Sequence, residues 1–359
     1  MPDSPAPGRT VTATALSDFI RAAFEACRLP TLDAQRIAGL MVEADLIGAD
    51  NHGVFRLAQY VRRIKAGGVK VRADIAVIRE TDSTALVDGG NAMGHLVMHR
   101  ATQLAIEKAK QRGVAWVGAR HSNHAGPAAL YASMPLQHDM IGLYMAVGNA
   151  NHMPPWGGID MLLSTNPIAI AVPALEEPPI VLDMATSVAA YGKVKGAAQR
   201  GETMPEGWMM DRQGRSLTDP KRADEGFVLP IGAYKGYALA LMFGLLAGTL
   251  NGAAMGSDVV DFNADDKSAT NTGQLIVALR VDAFGPVEAF KRSVDRVIRE
   301  MRGSARLPGV DAVRLPGEQS HRRHAERLAK GIPLHPNLVA QLDKLADQLK
   351  IAALPAAAS

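Results

Sequence analysis

A single cysteine, Cys27, stands in a chain of 359 residues. No internal disulfide is possible, and such scarcity of thiols points to a reducing compartment, most simply the cytoplasm. Cys27 itself reads as a helix core residue. An excess of one charge is also missing: 39 Lys and Arg against 36 Asp and Glu leave a net +3, far from the concentrated basic field that nucleic-acid binding needs. Long apolar runs are scarce. Met1–Gly8 has no hydrophobic stretch and reads as a disordered lead rather than a signal peptide, and the Ala-rich end after Leu354 reads as a frayed tail. The most membrane-like stretch, Tyr237–Met255, follows Lys235 and contains Asn251. Gly244, Gly248 and Gly252 within it and Gly256 just after it have the four-residue spacing of close-packed membrane helix pairs. The same stripe lets a buried soluble helix press on a sheet or a partner, and that reading is preferred.

What the chain does have is histidine in one half: seven of its ten lie between His52 and His152. Imidazole titrates nearest neutrality, so this concentration favours proton-transfer or metal chemistry. Three stretches carry it: Asn51-His52-Gly53-Val54-Phe55-Arg56, His121-Ser122-Asn123-His124-Ala125-Gly126 and Asn149-Ala150-Asn151-His152.

The length exceeds one ordinary core, so two domains with an interleaved boundary are expected. Helical spacing runs from Val11 to about Gly68, through Leu16, Phe19 and Ile20, then Ile37, Leu40 and Met41. A third helix is expected from Asn51, a favoured N-cap, to Gly67-Gly68. Short apolar runs then alternate with helices. Strands are expected at Thr84–Val87, Val114–Gly118, Ile141–Val147, Ile168–Val172, Ile180–Leu182 and Gln274–Val281, with a helix over His95–Gln111. Gly196–Gly226 reads as a surface excursion. Helices return at Val287–Met301 and Pro336–Leu349, so the two ends are expected to form one helical domain, residues 1–82 with 300–359. An α/β domain, residues 83–299, is inserted between them.

If Asn51 caps a helix, His52 and Arg56 project from one face. Arg56 can then hold a carboxylate bidentately while the imidazole protonates a neighbouring carbonyl oxygen; a capped helix start with solvated side chains is the plain alternative. His121, His124 and His152 are conceivable metal ligands, which would make a hydrolase or lyase, although the neighbourhood has no thiols or carboxylates and no His-Glu-x-x-His pattern. No G-x-G-x-x-G turn occurs, so a dinucleotide would not be held in the Rossmann manner. Asp183-Met184-Ala185-Thr186-Ser187 after a buried strand, and Lys235 between Gly232 and Gly236, are the candidates for ribose and phosphate contacts. Either is equally a capped helix entry or a solvated lysine.

In order along the chain, Asn51–Leu57, Ser122–Gly126, Ser164–Ala169, Leu182–Ser187, Gly192–Val194, Tyr234–Tyr237 and Leu315–Glu318 resemble the motifs of the malate/L-lactate dehydrogenase family, over residues 11 to 350. That family also contains ureidoglycolate, sulfolactate and diketogulonate oxidoreductases and cyclic-imine reductases. The resemblance implies a non-Rossmann fold, NAD or NADP as cofactor, a 2-oxo or 2-hydroxy acid substrate and a homodimer. It implies His52 as proton donor or acceptor, with His124 carried as the alternative base and as a cofactor contact. It implies Arg56 on the substrate carboxylate and Thr165 on the substrate. Gly126, Asp183, Met184, Ala185, Lys235, Gly317 and Glu318 match cofactor contacts. Lys193 stands where the imine reductases look acidic, which favours an anionic oxo acid over a protonated imine. The chain departs from the family at Asn51, where Ser is usual, at Gly148-Asn149-Ala150, where a hydroxyl is common, and at Gly244, where an acid is common. The departures at Asn51 and Gly244 motivate a further alternative, a cofactor-binding protein that has lost catalysis.

Overall fold

The computed structural model describes residues 8–355 except Ala73, and the side chains in that span except those of Gln199 and Arg200. The expected lead and tail lie outside the described residues, apart from Gly8 and Pro355. Strand β1 (Arg9–Val11) leads into α1 (Ala13–Ala26), α2 (Thr31–Leu46) and α3 (Leu57–Ala66). Thr12 starts α1, its hydroxyl accepting the Ala15 N–H at 3.1 Å, and Gly67 ends α3 in the left-handed conformation at φ +89°. Next come β2 (Ala76–Glu80), β3 (Thr84–Asp88), α4 (Gly94–Arg112), β4 (Val114–Ser122), α5 (Ala129–Ser133), β5 (Met140–Ala146), β6 (Ile168–Val172) and β7 (Ile180–Met184). The remainder is α6 (Tyr191–Arg200), β8 (Met209–Asp211), β9 (Gly226–Val228), α7 (Tyr234–Ala247), β10 (Thr272–Arg280), α8 (Val287–Arg302), α9 (Glu318–Lys330), β11 (Ile332–Leu334) and α10 (Pro336–Leu349).

Seven strands form a mixed sheet in the order β2-β3-β4-β10-β5-β6-β7, in which only the β3–β4 pair is parallel. A parallel pair needs a crossover, and α4 supplies it, burying Val97, Met98 and Ala101 against Val87, Val117 and Ile276. The chain ends meet elsewhere. β1 pairs antiparallel with β11, Arg9 opposite Leu334. Leu16, Ile20 and Phe24 of α1, Ile37 and Met41 of α2 and Leu57 of α3 share one core with Val339, Leu342 and Leu345 of α10. The fold is α/β, with helices from both termini packed together.

Three expectations need correction. Asn51 caps no α-helix: Asp50–His52 and Val54–Arg56 form separate 3-10 turns, and α3 starts at Leu57. Tyr237–Met255 is not one helix, because α7 ends at Ala247. Of the four glycines only Gly244 lies within it, against Met255 and Asn166, while Gly252 and Gly256 turn the loop at positive φ. Among the described residues no helix is long and apolar enough to cross a membrane. Residues 196–226 are more than an excursion, since Met204, Met209 and Leu217 build a small core with Val194, Val228 and Ala240. Methionine fills such irregular gaps without the periodicity that sequence patterns reveal.

Candidate active site

The segment carrying His52 and Arg56 is shaped from below. The Asp45 carboxylate, near the end of α2, accepts the Val54 N–H at 2.8 Å. Gly53 crosses directly over this carboxyl group, where an added Cβ would lie 2.1 Å from Oδ1, so no side chain fits there. The chain therefore bends between the two 3-10 turns. From α9, Arg327 grips the Asp45 carbonyl and the Asp50 carboxylate. Asp45 is buried, and desolvation pushes its carboxyl up to about 8 against the pull of the Val54 N–H.

His124 arrives from the end of β4 on a buried polar platform. Asn123 donates to the Ala92 carbonyl at 2.8 Å and Ser122 to Gln274 Oε1 at 2.6 Å. The two imidazoles meet with His52 Nδ1 3.2 Å from His124 Nε2, their rings nearly parallel at 3°. Tyr60 Oη, one turn beyond Arg56 on α3, lies 2.5 Å from His124 Nδ1, and the Gly126 N–H points at the same nitrogen from 3.4 Å. Burial raises the Tyr60 hydroxyl above its ordinary value, so it is a donor. Two donors on Nδ1 assign the His124 proton to Nε2, from which it is given to His52 Nδ1. The His52 proton is thereby assigned to Nε2.

Both rings are held neutral. Burial first, and the Arg56 charge second, bring His52 down to about 4. Burial likewise lowers His124 well below the ordinary range, helped by His52, Arg56 and His95. Arg56 has no carboxylate partner among the described residues. It donates to the Asn51 carbonyl at 2.8 Å, Gln59 Oε1 at 2.8 Å and Asn263 Oδ1 at 3.3 Å. Phe262 lies against both Arg56 (5.3 Å) and His124 (5.0 Å).

These groups line a cavity of about 170 Å3 together with Gly126, Tyr144, Gly148, His152, Thr165, Tyr191, Lys195 and Gln274. That volume suits a small acid better than a drug-sized ligand. A larger cavity, about 660 Å3, is walled by Pro154, Trp156, Met210, Phe227 and Pro230 and has no histidine, so acid–base chemistry belongs to the smaller one.

The other sequence candidates divide. Thr165 lines the cavity and its carbonyl accepts from Thr186 N–H and Oγ1, both at 2.9 Å. Lys193 is exposed on α6 outside the cavity lining, and Lys195, two residues on, takes a place in it. Asp183 ends β7 with Met184, and one carboxylate oxygen accepts the Ala129 N–H at 2.8 Å. The Gly317 turn packs on the same strand, Val181 donating to the Pro316 carbonyl at 3.2 Å, while Glu318 accepts the Leu315 N–H at 3.1 Å. Ala185 continues from β7. Lys235 is exposed at the start of α7 and has no ion pair among the described residues. His121 turns away to Asp88 at 2.9 Å, and His152 stacks on Tyr191 at 4.0 Å, so His121, His124 and His152 face separate partners. Among the described residues no group of three His, Cys, Asp or Glu side chains is arranged to hold a metal.

The departures have local causes. A Cβ at Gly148 would fall 2.0 Å from Ser164 Oγ, so a neighbouring hydroxyl already fills that space. A Cβ at Gly244 would strike Met255. Tyr60, Gln59, Tyr144, Lys195, Phe262, Asn263 and Gln274 escaped the sequence reading. Only Tyr60 had a signal, four residues after Arg56 on one helix face.

The family model for malate/L-lactate dehydrogenase matches residues 11–343. A malate/(S)-sulfolactate dehydrogenase of Methanothermus fervidus is 39% identical over 318 residues, 89% of this chain and 91% of the relative. The sulfolactate dehydrogenase structure from Methanocaldococcus jannaschii superposes with a TM-score of 0.89 at 34% identity, covering 96% of this chain and 98% of that one. The malate dehydrogenase structure from Pyrococcus horikoshii gives 0.89 at 32% identity, covering 99% and 100%. With the family model and relatives of this identity spanning nearly its whole length, the chain belongs to the malate/L-lactate dehydrogenase family.

Proposed function

We propose that this chain is an NAD(P)-dependent oxidoreductase that interconverts a small 2-hydroxy acid and its 2-oxo acid. The observation that carries this reading is the Arg56 guanidinium, lacking a carboxylate partner, in the same small cavity as the His52–His124 pair. Members of the family use NAD(P)H, and the residues expected to meet such a group suit it chemically. Asp183 has a carboxylate oxygen left for a ribose hydroxyl, Met184 and Ala185 follow it at the end of β7 with the Gly317-Glu318 turn packed on that strand, and Lys235, at the start of α7 and without an ion pair among the described residues, is a cation for a phosphate. When bound, the nicotinamide supplies or accepts the hydride.

The chain's own residues handle the carboxylate and the proton. Arg56 pairs with the substrate carboxylate and Thr165 adds a polar contact. That pairing cancels the positive field which, after burial, holds the histidines neutral, so anion binding raises the pair's proton affinity. The pair takes up one proton with the substrate. In reduction, the His52 Nε2 proton goes to the oxygen that was the carbonyl while the proton taken up stays on His52 Nδ1. In oxidation His52 starts in that Nδ1–H tautomer, with His124 donating from Nδ1 to the Tyr60 oxygen, so that Nε2 is free to receive the hydroxyl proton. Tyr60 keeps His124 oriented throughout.

Two other features support the remaining expectations. α7 exposes Leu239, Met242 and Leu245 on its outer face, which suits a homodimer, and the single Cys27 suits a cytoplasmic setting. The shared core of the two chain ends supports reading them as one helical domain, whereas β2, on the N-terminal side of the expected 82/83 division, joins the seven-stranded sheet and α8 runs across 299/300. The test is an absorbance screen at the reduced-nicotinamide band, crossing both cofactors with malate, lactate, sulfolactate and ureidoglycolate. Turnover of at least one acid is expected, and none with either cofactor sinks the reading.

A further inference from the structure

The cavity wall contains two cationic side chains, Arg56 and Lys195, and no Asp or Glu. Among the described residues Arg56 donates only to neutral oxygens and otherwise lies against the Phe55 and Phe262 rings. Lys195 projects from α6 with part of its length in solvent, its ammonium 5.5 Å from the Tyr191 ring centroid. Among the described residues it has neither a hydrogen bond nor an ion pair; Asp261 and Asp224 act on it only through longer-range fields. Asp261 is itself occupied, accepting the Asn263 N–H at 2.8 Å and the Asn263 Nδ2 at 3.0 Å. After burial, the field of Arg56 is the next largest influence disfavouring charge on Lys195.

Two like charges without counter-ions in so small a space repel, and one monoanion relieves only one of them. A substrate with a carboxylate at one end and a second acid at the other relieves both. Arg56, nearer the histidine pair through its field on His52, takes the carboxylate next to the reacting carbon, and Lys195 is left for the distal group. Lysine suits that task, because a compact ammonium on a flexible stem accepts a carboxylate or a sulfonate without demanding a planar partner.

Building on the function proposed above, we infer that Lys195 is a specificity-determining residue for a second anionic group, so that the preferred substrate is a dianionic 2-oxo or 2-hydroxy acid. Lactate, and an acid ending in a neutral ureido group, leave the lysine without a partner and are the poorer ligands.

The experiment compares the full chain with K195M and K195R in two assays. One is kcat/KM for malate and lactate; the other is calorimetric binding of tartronate, with two carboxylates, against lactate. The parent should favour the dianion in both. K195M should lose about tenfold to a hundredfold for malate and tartronate, the scale of one charge-assisted contact, and leave lactate nearly unchanged, while K195R should recover much of the loss. Equal losses for mono- and dianions, or a parent without preference, overturn the inference. So does weaker titration of NADH or NADPH by K195M with acid discrimination intact, which would make Lys195 a cofactor phosphate contact. If no acid turns over with either cofactor, the oxidoreductase reading fails, yet tartronate calorimetry still decides the role of Lys195.

Discussion

Only Ser122 and Asn123 separate His121 from His124 at the end of β4, and the surroundings of the two diverge completely. His121 is 46% exposed in its side chain and pairs with Asp88, which Arg120 also holds at 3.1 Å. His124 is wedged between His52, Tyr60 and Phe262. The aspartates differ in step. Burial alone would lift Asp88, but the Gly90 N–H, His121 and Arg120 outweigh it and keep the carboxyl below its ordinary value. Asp45, beneath the His52 segment, has one backbone donor and is lifted to about 8. An ion pair at the surface fixes charge in place, whereas a neutral, desolvated cluster can gain or lose a proton when an anion arrives.

The widest gap between the two clusters should appear on deleting each imidazole. His52→Ala should lower kcat by about 100- to 10,000-fold, the usual contribution of a positioned acid or base, and His121→Ala should leave kcat within assay error. Comparable losses from both would erase the distinction. Tyr60→Phe keeps the ring but removes the donor to His124 Nδ1, so a loss of about tenfold in kcat should come with an altered pH profile and little change in KM. An unaltered profile would make Tyr60 a packing residue only.

Asp45→Asn sharpens the contrast through stability. The folded carboxyl titrates near 8 and the unfolded one near 3.9, so the folded state binds the extra proton between them. Its contribution is present at low pH and is lost as pH rises through about 8. The variant should therefore show a flatter decline of Tm from pH 5 to 9 than the parent, with the Val54 N–H still accepted by the amide oxygen. A parallel decline in both proteins would refute the assignment. The smallest effect belongs to Asp88→Asn, which breaks a partly exposed pair and should cost less than about 1 kcal/mol in denaturant unfolding at pH 7.

Where periodicity governed, the residues spoke for themselves: Ile168–Val172 and Pro336–Leu349 are a strand and a helix with those bounds. Asn51 misled because a good N-cap is a local signal, whereas the Asp45 contact that bends the chain at Gly53 comes from another helix. The α6 helix escaped notice because Gly192 and Gly196 depress helix propensity over Tyr191–Arg200, and with it went Lys195. Gln274 and Phe262 reach the cavity from strands and loops far away in sequence, and no motif spacing can encode that. His52, Arg56, His124 and Thr165 were singled out in advance by their motifs, and the fold gathers all four around one cavity.

The pairing of Arg9 with Leu334 and of Val11 with Ile332 also constrains how a newborn chain matures. The last strand of the seven-stranded sheet is finished at Arg280, so that sheet can assemble while the rest is still being translated. The opening helices cannot settle so early, because Val339, Leu342 and Leu345, which cover them, emerge near the end. Until then Phe24, Ile37 and Met41 remain open to water and to stray partners, which makes the earliest-synthesised segment the one most in need of a chaperone's shelter.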